Sequence, residues 1–181
     1  RAVGAPPGTI PTGGSHDHPF VARWTQYGPD APESGTIELG QDPPEIAEGQ
    51  VLWVDLVGHS DLEELTRIAR NYGVSDFVLE DALDVGQRPR LDVHSDALFL
   101  SIRSISVLST GEIRREQIGL YVRDGLVISF QEVDGDVWDT VRRRIDTEGT
   151  PMRTSGADFL WYSLVDAVVD AYYIVLDRIA E

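Results

Sequence analysis

Val51-Leu52-Trp53-Val54-Asp55-Leu56-Val57, with Ser60-Asp61-Leu62-Glu63 shortly behind it, is the stretch on which the fold turns. The first seven residues form a nearly continuous apolar run, broken by Asp55. A strand covered on both faces shows this lack of alternation, so the run predicts a buried central strand. Ser60-Asp61-Leu62-Glu63 has the spacing of a capping box. It opens a helix with Leu62, Leu65, Ile68, Ala69 and Tyr72 on its apolar side, and Gly73 ends it.

Upstream, residues 1–19 are rich in Gly and Pro and read as a flexible tail. Within them Ser15-His16-Asp17-His18 could ligate a transition metal, or simply belong to that tail. Residues 20–27 read as a short strand, 29–34 as a turn, and 36–39 as another strand before the Pro43-Pro44 loop. Downstream, Ser75 caps a second, short helix running to about Asp84. Gln87-Arg88-Pro89 then leads into extended structure, since proline disfavours helix in the residue before it. Residues 97–108 make one long strand. Residues 117–123 and 126–133 form a hairpin across Asp124-Gly125, a type I′ turn signal. Asp136 is the expected cap of a helix carrying Val137, Val141 and Ile145, with Arg142, Arg143 and Arg144 near its negative end. Ser155 starts a final helix that runs to Glu181 with no stop signal, which predicts that the helix continues.

The order ββ–β–αα–βββ–αα mixes hairpins with a crossover. The expected fold class is α/β (α+β): a three-layer αβα sandwich around a mixed parallel and antiparallel sheet, followed by the start of a long helical region. The domain plan is a tail at 1–19, the sandwich at 20–150, and a helical region from 151 to 181.

Net charge is −16 over 181 residues, and all 15 basic residues are arginine. Such a surface repels nucleic acid and anionic membrane and attracts cations. Two readings of the charge stay open: clustered carboxylates that bind cations, or a solvated acidic surface of the kind found at high salt. The chain has no cysteine, which excludes disulfides, thiolate metal sites and thiol catalysis. No apolar run approaches the ~18 residues that span a bilayer, and the opening segment lacks the apolar core of a signal peptide. Enzyme signatures are weak. Asp55 and His59 are near in sequence without a nucleophile, and Gly-x-Ser-x-Gly, Walker-type and dinucleotide fingerprints are missing.

The carboxylates concentrate in two apolar segments, Val78-Leu79-Glu80-Asp81-Ala82-Leu83-Asp84 and Tyr162-Ser163-Leu164-Val165-Asp166-Ala167-Val168-Val169-Asp170. In the first, Asp76, Glu80 and Asp84 fall at i, i+4 and i+8 on one helical face, with Asp81 beside them and Phe77, Val78 and Leu83 on the apolar side. Like charges at this spacing repel. A bound divalent ion would compensate, and so would Arg88 or Arg90 folding back. In the second, Asp166 and Asp170 begin a stripe that Asp177 and Glu181 continue. Oxygen ligands on rigid elements suit Mg²⁺, and an amphipathic helix with a solvated acidic face is the plainer reading.

These two segments resemble the cytoplasmic domain of the CorA-type magnesium/cobalt transporters. Further pieces in the same order strengthen the resemblance: Trp53-Val54-Asp55, Gln131-Glu132 before Gly135-Asp136-Val137, Val141-Arg142-Arg143-Arg144-Ile145, and Ala157-Asp158-Phe159-Leu160. It covers residues 51–181. It implies no enzyme but a divalent-cation-sensing domain, on the cytoplasmic side of the cell inner membrane, of a homopentameric channel whose stalk and transmembrane helices follow. Intracellular Mg²⁺ (or Co²⁺) bound between subunits would favour closure. Asp81 resembles a ligand of one regulatory site. Glu80 and Asp166 resemble ligands of a second, with Asp170 one turn beyond. A stalk aspartate would complete both. A related zinc-transporting branch shares the architecture and makes Zn²⁺ the alternative ion.

Overall fold

The structure, a computed structural model, describes residue 9 and residues 18–86, 88–108, 110–135 and 137–180. Its strands are β1 (Val21–Tyr27), β2 (Glu33–Thr36), β3 (Val51–Val57), β4 (Arg90–Val93), β5 (Ala97–Val107), β6 (Ile113–Arg123) and β7 (Leu126–Gln131). Its helices are α1 (Leu62–Asn71), α2 (Asp76–Leu83), α3 (Asp139–Asp146) and α4 (Ala157–Ala180), with a 3₁₀ turn at Pro151–Thr154. The strands form one sheet in the order β2-β1-β3-β7-β6-β5-β4. β3 and β7 pair in parallel, and every other neighbouring pair is antiparallel.

All seven residues of β3 are buried, as the apolar run requires. Its even-numbered side chains, Leu52, Val54 and Leu56, share a core with Leu65 and Ile68 of α1 and Leu79 of α2. On the other face Val51 and Trp53 pack with Trp138 and Val141 at α3 and with Leu160, Leu164 and Val168 of α4. Helices therefore cover both faces, and the mixed sheet is the middle of three layers.

Several boundaries differ from the sequence reading, each for a local reason. Asp61, not Ser60, caps α1 through Oδ1, which accepts from Glu64 N (2.9 Å). Ser60 Oγ is occupied elsewhere, accepting from Phe20 N (2.8 Å). The second strand is 33–36 instead of 36–39. Gly35 lies under the Trp24 ring, where an added Cβ would stand 2.9 Å from Nε1. The β6–β7 hairpin forms with Arg123 opposite Leu126, yet Gly125 alone has positive φ there, so the turn is not type I′. Gly125 O instead accepts from Leu52 N (2.9 Å), which ties the turn to β3.

α3 starts at Asp139 behind Trp138; the expected cap, Asp136, lies outside the described residues, as do Ser15, His16 and Asp17. The final helix reaches Ala180, and Glu181 again lies outside them. Residues 157–178 of α4 are long and apolar enough to cross a membrane by length and composition, with mean hydropathy 1.5, so the expectation that no run approaches that length is corrected. Leu160, Leu164 and Val168 bury that helix against the sheet, and Asp166 and Asp170 interrupt it.

Candidate functional site

Polar chemistry inside the fold gathers at the ends of β3 and β7. Asp55 is 1% exposed. Its Oδ1 accepts from Ser129 Oγ (2.7 Å) and Gln131 Nε2 (2.9 Å), and its Oδ2 from Arg142 Nη2 (2.7 Å). Trp53 Nε1 donates to Ser129 Oγ (2.9 Å), and the Arg142 guanidinium lies 4.3 Å from the Trp53 ring centroid. Arg23 stands 3.8 Å from Asp55 and pairs with Asp134, whose carboxyl it holds below the usual carboxylate range. Both oxygens of the buried carboxylate thus accept hydrogen bonds, the condition for keeping a charge inside a protein. This network clamps α3 to the sheet.

The α2 carboxylates meet different surroundings. Asp76 is exposed and paired with Arg70 (2.9 Å), Glu80 is buried, and Asp84 ends the helix, accepting from Gly86 N (3.2 Å). The i, i+4, i+8 stripe therefore runs from solvent into the protein. Phe77, expected on the apolar side, is 61% exposed. Asp81 is half-buried and ion-paired with Arg90, whose Nε also donates to Asp92 (2.8 Å). Arg90 has folded back, as the salt-bridge alternative required. On α4, Asp166 is half-buried and Asp170 exposed. α2 and α4 pack on opposite faces of the sheet. Among the described residues, no three histidine or acidic side chains converge as a metal would require.

Residues 48–181 match the family model described as CorA-like Mg²⁺ transporter protein. The chain belongs to the CorA family. It is 31% identical over 178 residues to the cobalt/magnesium transport protein CorA of Thermotoga maritima, covering 97% of this chain and 51% of that protein. The complete CorA magnesium transporter structure from Methanocaldococcus jannaschii superposes with TM-score 0.68 at 17% identity, over 88% of this chain and 48% of that one. The ZntB cytoplasmic domain of Vibrio parahaemolyticus gives TM-score 0.63 at 14% identity, over 86% and 61%. The chain spans about half the length of the curated CorA relative. The likeness to solved structures bears out the αβα sandwich, and at these identities it speaks of fold alone.

For a CorA-family cation site the donors fit in kind: oxygen ligands and no thiol, which suits a hard divalent ion. An ion at Asp81 would have to displace Arg90. Two buried carboxylates, Asp55 and Glu116, have surroundings that the sequence reading did not assign. Asp55 was noticed as a break in β3, but its partners lie 74 to 87 residues away. Glu116 is in phase with Ile118, Leu120 and Val122 on β6, so period-two alternation places it inward, and it is 6% exposed.

Proposed function

We propose that this chain is the cytoplasmic, divalent-cation-sensing domain of a Mg²⁺/Co²⁺ channel or transporter of the inner membrane. It acts without an enzymatic step. The observation that carries the reading is the 31% identity to the Thermotoga CorA, running through 97% of the chain. The functional protein is a homopentamer, held in the membrane by segments outside these residues. Asp81 serves one cation site, while Glu80 and Asp166 serve another, with Asp170 one turn beyond. The opposed packing of α2 and α4 supports sites made between chains, because one chain does not bring these carboxylates together.

The physical logic is neutralisation. Carboxylates gathered at a subunit boundary repel, and bound Mg²⁺ removes the repulsion in the closed ring more than in the open one. That differential affinity is what biases a two-state assembly. High internal Mg²⁺ therefore closes the pore. The test is a flux assay on the full-length protein in liposomes with Mg²⁺ fixed on the domain side. Wild type should transport Mg²⁺ or Co²⁺ and shut as internal Mg²⁺ rises, and Asp81→Ala should shut less completely. Absence of divalent flux would overturn the transporter reading. Unchanged inhibition in the variant would remove Asp81 from the sensor while leaving transport standing.

A further inference from the structure

α2 has no basic residue in its last turn, and its C-terminal end is held from the sheet instead. The last four carbonyls of a helix lack an intrahelical partner. Asp84 N closes the final bond of α2, onto Glu80 O (3.0 Å), so the Asp81 carbonyl is the first left open. Gln117 Nε2 donates to it across 3.2 Å. Just beyond the helix, Val85 O accepts from Arg103 Nη2 (3.1 Å). Gln117 and Arg103 stand opposite each other in the β5–β6 ladder, so one cross-strand pair reaches both points. β6 is itself fixed there, because Gln117 N donates to Glu132 Oε1 (2.6 Å).

The Gln117 side chain is a costly way to fill this place. The residue is 3% exposed, and its Oε1 has no hydrogen-bond partner among the described residues. A half-satisfied buried amide gives up more bonding to water than it regains. What it provides is a fixed point for the main chain at Asp81. The two holds on Asp81 therefore differ in kind. Arg90 grips the carboxylate at the partly exposed rim, where a cation would compete for it. Gln117 grips the carbonyl from inside, where no cation competes.

We propose that Gln117, supported by Arg103, is a positioning residue for the Asp81 cation ligand. This rests on Asp81 serving as a ligand, as proposed above. When a divalent ion takes the carboxylate, the Arg90 pair is given up, and with it the side-chain tether to β4. The bonds from Gln117 and Arg103 remain and keep the end of α2 on the sheet, so the carboxylate is presented in one place in both states. Ligands oriented in advance bind a metal more tightly. Without the Gln117 donor, binding the ion must also order the end of α2, and affinity falls.

Flux through the full-length protein in liposomes, with Mg²⁺ varied on the domain side, separates two quantities. One is the maximal flux at low internal Mg²⁺, and the other is the Mg²⁺ concentration that half-closes the pore. Gln117→Met keeps the bulk and removes the donor. It should raise the half-closing concentration about tenfold and leave the maximal flux as in wild type. In an Asp81→Ala background the same change should shift it by less than about twofold, since its route to the ion is gone. Arg103→Met, at a half-buried residue, should move it in the same direction and guards against misfolding of the Gln117 variant. Wild-type closing in both Met variants, or an equal shift with and without Asp81, would overturn the positioning role. Asp81→Ala that closes as wild type does would overturn the ligand reading and this role with it. A shift in Asp81→Ala with none in the Met variants overturns the positioning role alone.

Discussion

Asp55 and Asp81 are both aspartates paired with an arginine, and the fold treats them differently. Asp55 lies under α3, with donors from β7 and α3 on its two oxygens. Asp81 lies at the rim, held by Arg90, which is itself shared with Asp92. A buried pair is strongly coupled to the structure around it, because removing one partner strands the other without water. A rim pair is screened, and its loss is nearly silent. Carboxylates of the first kind hold a protein together. Carboxylates of the second kind contribute little to the fold.

The largest effect should come from breaking the buried member. Asp55→Ala leaves Arg142 and the Ser129 and Gln131 donors unpaired, a loss of about 3–5 kcal/mol. For a chain of this size that lowers the melting temperature by about 6–20 °C. Thermal unfolding followed by circular dichroism measures it. A shift smaller than a few degrees would mean that the Asp55 network is not what clamps α3 to the sheet.

Next come the two cores on either side of the sheet. Leu79 on α2 and Leu164 on α4 are both fully buried. Each Leu→Ala change should cost about 2–5 kcal/mol from lost burial and the cavity left behind. Because the sheet stands between them, the double variant should be additive within about 0.5 kcal/mol in urea unfolding. Strong non-additivity would show that the two faces are coupled through β3 and are not independent layers.

These cores were legible in the sequence because they rest on local pattern. The β3 run, the i, i+3, i+4 spacing of α1 and the Asp124-Gly125 hairpin each encode their own element. β2 was misplaced because Glu33-Ser34-Gly35-Thr36 is exposed throughout and carries no apolar alternation. Its register comes from backbone pairing with β1 and from the fit of Gly35 under Trp24. The Asp55 network was hidden for another reason: its arginines stand 32 residues before and 87 after it, so only the closed sheet reveals the partnership. On α2 the spacing of the carboxylates was readable, whereas the exposure of Phe77 and the burial of Glu80 were not. The competing Arg90 ion pair was one of two options that sequence could not separate.

The caps of α1 and α2 give an intermediate effect and compare the two helices directly. Asp61 Oδ1 accepts at 2.9 Å, whereas Ser75 Oγ accepts from Val78 N at 3.5 Å. Asp61→Ala should therefore cost about 1–2 kcal/mol and Ser75→Ala about 0.5 kcal/mol. Amide exchange in the first turn of each helix, beside global unfolding, ranks them. The reverse order would mean that the Asp61 contact does not hold the first turn of α1.

The smallest expected effect is the most informative about function. Asp81→Asn keeps the shape of the side chain and removes its charge, so the screened, partly exposed pair with Arg90 is lost. Urea unfolding should register a change within about ±0.5 kcal/mol, against the several kcal/mol expected at Asp55. Arg90→Ala approaches the same pair from the other side. It leaves folding similarly intact but takes away the cation's competitor, so Mg²⁺ should bind more tightly to Arg90→Ala and more weakly to Asp81→Asn. Calorimetric titration with MgCl₂, against choline chloride at matched ionic strength, separates site binding from screening of the −16 surface. Opposite shifts in the two variants would make the rim pair an exchangeable one. A large stability loss in Asp81→Asn would place Asp81 with Asp55 among the structural carboxylates and break the distinction between them.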